Sequence, residues 1–82
     1  MGVKELREAF NAAADGQFTC MTATLGYEQA NDSEWQRLTF SGIAVDGTPF
    51  STQSPRLPPG TNILQASRTT AEVLVAKEKP AP

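Results

Sequence analysis

The sequence predicts a two-layer α+β domain of order αβββα, a three-stranded antiparallel meander with both helices on one face. Three observations carry that expectation. Helical spacing of apolar residues marks residues 2–14 and 61–77, stretches rich in Thr, Phe and other β-formers mark 17–27, 35–45 and 48–54, and Asp46-Gly47 supplies a short hairpin signal between the last two. A chain of 82 residues has room for one core, because a domain this small buries only about 60% of the surface its unfolded chain exposes. The expected organisation is a single domain over residues 1–77, followed by a mobile C-terminal tail over 78–82.

From Gly2 to Ala14, the residues Val3, Leu6, Phe10, Ala13 and Ala14 share one helical face, with Lys4, Glu5, Glu8 and Asn11 opposite. Asp15-Gly16 closes this helix, since glycine takes the left-handed conformation without a Cβ clash. In the first strand the odd positions Thr19, Met21, Ala23, Leu25 and Tyr27 are expected to face the core, leaving Cys20, Thr22 and Thr24 on the other side. The polar run Glu28 to Glu34 reads as a solvated loop and lacks the Asp/Asn register of a calcium loop.

The second strand runs from Trp35 to Val45 and the third from Thr48 to Ser54. A G1 bulge at Gly47, pairing Ala44 with Thr48, aligns Leu38, Phe40, Gly42 and Phe50 on one face with a single irregularity; a two-residue turn would need two. The outer face then carries Arg37, Thr39, Ser41, Ser51 and Gln53. Three prolines make 54–60 a stiff connection, and Thr61 or Asn62 caps a second helix that buries Ile63, Ser67, Thr70, Ala71 and Leu74. Gln65, Arg68, Glu72 and Ala76 lie opposite.

This order of elements resembles the double-stranded-RNA-binding domain, with Phe40 through Asp46-Gly47 to Ala71-Glu72 spaced similarly. In that family a Gly-Pro-x-His loop between the first two strands and a lysine cluster opening the second helix make the minor-groove and phosphate contacts. Here the corresponding segments are the acidic Glu28 to Glu34 and the lysine-free Thr61-Asn62-Ile63-Leu64-Gln65, so the resemblance is one of topology.

Charge points the same way. Seven basic and nine acidic residues give a net charge of -2, with no basic stripe to track a phosphate backbone, so nucleic acid is an unlikely partner. The chain has one cysteine and no histidine, which excludes an internal disulfide and histidine-dependent triads and leaves no expected metal site or cofactor. No signal-like apolar run follows Met1, Leu6 stands where a myristoylation motif wants Ser or Thr, and no membrane-length apolar segment occurs. A cytoplasmic protein without a membrane partner is the expectation.

Five places invite a functional reading. Cys20 lacks the base that would make it a nucleophile and reads as structural. Glu28, Asp32 and Glu34 read as solvated loop charge rather than an acid/base pair. Arg56, the free amides near Gly60, Thr61 and Asn62, and Arg68 could hold a small anion, against ordinary helix capping. Pro55-Arg56-Leu57-Pro58-Pro59 has a PxxP spacing, which a linking loop also explains. Trp35 with Arg37 is a candidate interface anchor, against burial at a sheet end. With catalysis unsupported, the expected function is a small non-catalytic module that binds a protein partner or self-associates. A degenerate double-stranded-RNA-binding-like domain, or anion binding near Arg56 and helix two, is the alternative.

Overall fold

The computed structural model of the chain describes residues 3–78, apart from the side chain of Glu78. Its elements are α1 (Val3–Ala13), β1 (Phe18–Ala30), β2 (Ser33–Ala44), β3 (Pro49–Gln53) and α2 (Ile63–Glu78), and the sheet is antiparallel in the order β1-β2-β3. This is the expected αβββα arrangement. The last turn of α2 reaches one residue beyond the expected boundary, and the rest of the expected tail, 79–82, lies outside the described residues.

Helix α1 buries Leu6, Ala9 and Phe10. Val3, expected on that face, is exposed at the first residue of the helix, while Ala9 is buried in addition. Asp15 and Gly16 both take positive φ, 56° and 72°, to turn the chain back into β1.

Strand β1 departs from the expected alternation. Phe18, Cys20 and Ala23 are buried, whereas Thr19 and Met21 are exposed. The cause is a bulge: Cys20 pairs with Gly42 and Thr22 with Ser41, so Met21 is an extra residue. One inserted residue reverses the phase of the strand, which puts even positions inward before the bulge and odd ones, Ala23 and Leu25, inward after it. Tyr27, next in the odd series, is exposed.

The segment 28–34 is not a loop. Ala30 pairs with Ser33, and the turn consists of Asn31 and Asp32 alone, with φ of 53° and 62°. Positive φ at both positions is the twist that matches two antiparallel strands, and Asn and Asp are the non-glycine residues that best tolerate it. The hairpin therefore extends past β3, whose ladder ends at Thr39 opposite Gln53 and is followed by a Ser54 bond to Leu38 and a bridge from Leu57 to Gln36.

At the second hairpin Ala44 donates to Thr48 at 2.8 Å and Gly47 has φ of 88°, which is the expected G1 bulge. Leu38, Phe40 and Phe50 consequently face the helices and Arg37, Thr39, Ser41, Ser51 and Gln53 the other side. Phe10 stacks on Phe40 at 4.6 Å and lies 5.8 Å from Phe50, while Phe18 meets Phe50 edge-on at 5.0 Å. These rings join α1 to all three strands.

Asn62 caps α2 by accepting the Gln65 amide at 3.1 Å. The helix buries Ser67, Thr70, Ala71 and Val75, with Ile63 and Leu74 half-buried beside them. Ser67 and Thr70 direct their hydroxyls to the carbonyls of Ile63 and Ala66, so neither leaves a polar atom unpaired in the interface. Such small residues let α2 come close to α1, and that approach draws it away from β3, which it scarcely touches.

Candidate functional site

The gap left between α2 and β3 is a groove of about 430 Å³. Thr52 and Ser54 form its floor, and Ala66, Thr70, Val73 and Leu74 form the helical wall. Among the described residues Lys77, at the C-terminal end of α2, is the one charged side chain lining it. The groove runs beside the free edge of β3. Ser54 donates to Leu38 and Ala44 to Thr48, so by alternation Thr48, Phe50, Thr52 and Ser54 point their backbone groups at β2, while Pro49, Ser51, Gln53 and Pro55 point theirs outward. Prolines at both ends leave Ser51 and Gln53 as the outward amide donors of this short edge.

A second cluster lies on the outer face of the sheet. Glu28 on β1 sits 2.8 Å from the Arg37 Nε on β2 and 3.6 Å from the Arg56 Nε in the loop after β3. The Arg37 contact is an ion pair out of line for a hydrogen bond, and Arg37 instead donates through Nη1 to Gln53 at 2.9 Å. Trp35 is directly across from Glu28, half-buried, with its indole N–H donating to the Ala30 carbonyl at 3.0 Å. The structure thus brings Trp35, Arg37 and Arg56 together around Glu28, a residue that the loop expectation for 28–34 had set aside. Arg68 is separate, on the exposed side of α2, bonded to Gln65. The outer face otherwise carries mainly serines and threonines, with Ile43 exposed toward the opposite end.

At the start of α2, Arg56 faces the Glu28 carboxylate and the Asn62 side chain caps the helix. Cys20 is 4% exposed. Burial pushes its thiol up, partly offset by backbone hydrogen bonds from Ser41 and Thr22 and by the nearby Arg7. A thiol so placed is a poor nucleophile at neutral pH. Among the described residues no group of His, Cys, Asp and Glu side chains is arranged to hold a metal ion, and no helix is long and apolar enough to cross a membrane.

No family model, curated protein or solved structure matches the chain.

The groove was not legible in the sequence. Its walls are ordinary helix and strand residues, and the feature that opens it is the small-residue contact of α2 with α1. The one available signal was the run Ser67, Thr69, Thr70, Ala71, which is poor in the large side chains that would have held the helix farther from its neighbour.

Proposed function

We propose that the chain is a non-catalytic protein-interaction module, acting in the cytoplasm, and that its groove between β3 and α2 takes an extended, largely uncharged segment of a protein partner. The observation that carries this reading is the juxtaposition of an open, mainly apolar groove with the outward amides of Ser51 and Gln53. A peptide lying there could add to the sheet through its backbone while its alternate side chains enter the groove, a mode in which main-chain bonds supply affinity and pockets supply selectivity. The two flanking prolines confine the pairing to a few residues, and Lys77 favours an acidic group at one end of the segment.

Selection of short peptides from a display library against the full chain tests the reading. Enriched peptides should share an apolar core of a few residues and lose binding at least tenfold to Val73→Glu, whose side chain is already half-exposed and should be tolerated by the fold. Failure to enrich a motif, or selected peptides indifferent to Val73→Glu, would remove the groove from consideration.

A further inference from the structure

The two edges of the sheet are treated differently. The edge of β3 is short and ends in prolines. The edge of β1 is sealed at its start by α1: Asn11 accepts the Cys20 amide at 2.7 Å and donates to the Cys20 carbonyl at 3.4 Å, and Arg7 donates to the Met21 carbonyl at 3.4 Å. The cover continues past the bulge to Ala23, which is 2% exposed, and stops from Leu25 onward. Odd residues of β2 face β1, so their partners Thr22, Thr24, Gly26 and Glu28 point inward and the backbone groups of Ala23, Leu25, Tyr27 and Gln29 point outward. Among the described residues none of those outward groups has a hydrogen-bond partner, and the stretch contains neither proline nor lysine. A long edge without such devices is a template for another strand.

We infer that the β1 edge from Leu25 to Tyr27 is a self-association site, at which two copies of the chain pair antiparallel about a two-fold axis through Gly26 and join their sheets into one. The sequence of the edge is self-complementary in that register. Leu25 of each copy opposes Tyr27 of the other on the helix side, covering a tyrosine that is 62% exposed in the single chain. On the other face Thr24 opposes Glu28, whose charge Arg37 and Arg56 already balance within its own copy, so no like charges meet. This site lies on the opposite edge of the sheet from the groove and does not rest on the peptide-binding reading.

Analytical ultracentrifugation of the full chain, from low micromolar to submillimolar concentration, should show the mass rising from one chain toward two. Tyr27→Pro removes an outward amide from the centre of the pairing and should leave a monomer, whereas Val73→Glu in the groove should still dimerise. Register is read by cross-linking in a Cys20→Ser background. Gly26 has room for a side chain, with the nearest atom 3.9 Å from an added Cβ. Its Cα should approach its counterpart to about 4.5 Å in a non-hydrogen-bonded pair, within the span a disulfide bridges. Gly26→Cys should therefore form a covalent dimer under mild oxidation, and Thr24→Cys should not. A monomer at every concentration, a dimer indifferent to Tyr27→Pro, or cross-linking as ready through Thr24→Cys would overturn the inference.

Discussion

Gly42 backs directly onto the bulged Met21. A Cβ added to Gly42 would stand 2.9 Å from the Met21 nitrogen and 3.0 Å from the Cys20 Cα, and would overlap the Thr19 carbonyl oxygen. The bulge and the glycine therefore come as a pair: the extra residue in β1 folds into the space that a side chain at 42 would occupy. Because the bulge sets which residues of β1 face the helices, the core depends on this contact. Gly42→Ala should destabilise the domain by about 3 kcal/mol or more, since the obstacle is backbone that cannot rotate away. Urea denaturation checks this; a shift under about 1 kcal/mol would mean that the strand can shed its bulge at little cost.

Phe10 and Phe50 should differ. Phe10 is fully buried between the rings of Phe40 and Phe50, whereas Phe50 is only half-buried. Phe10→Ala is expected to cost about 4 kcal/mol, and Phe50→Ala about half of that. Equal denaturation midpoints for the two variants would show that the sheet's core is centred nearer β3.

Cys20→Ser should keep the fold with a loss of about 1 kcal/mol, because serine can donate to the Thr22 carbonyl that the thiol contacts at 3.2 Å. The native thiol should resist labelling until the domain unfolds. Its raised pKa adds a pH signature. Below 9.0, where the thiol of the unfolded chain is protonated, the contribution of Cys20 is fully present. Above it the unfolded state releases a proton that the native state retains, and stability falls as pH rises through the native value. Wild type should lose stability relative to Cys20→Ser on this alkaline side, and parallel pH profiles for the two proteins would refute the assignment.

Duplex RNA should not bind usefully at physiological salt, despite the shared topology. Arg37 and Arg56 both face Glu28, the hairpin tip bears Asp32 and Glu34, and α2 opens without a cation until Arg68. Each phosphate contact contributes about one unit of salt slope, and too few cations are available to sustain affinity. Titration with a duplex of about 20 base pairs at two salt concentrations decides the point; micromolar binding at the higher one, lost on Arg56→Ala or Arg68→Ala, would favour a nucleic-acid role.

The order of elements, the face of β2 and β3, the Gly47 bulge and the cap of α2 could be read from the residues alone, because each follows from local chemistry: the spacing of Leu38, Phe40 and Phe50, a glycine that must take positive φ, and an Asn three residues ahead of Gln65. The inward face of β1 could not. Its alternation is broken by Met21, and nothing in Cys20-Met21-Thr22 marks a bulge until Gly42, more than 20 residues away, is placed opposite. The polar stretch 28–34 misled for a related reason: composition suggests a loop, but strand pairing needs only backbone groups, and Glu28 finds its neutralising partners from residues 37 and 56 once the chain has folded back. The gathering of Trp35, Arg37 and Arg56 about that carboxylate, the groove beside α2 and the open edge of β1 are likewise consequences of packing. Each is set by distances between elements remote in sequence, which local propensity does not encode.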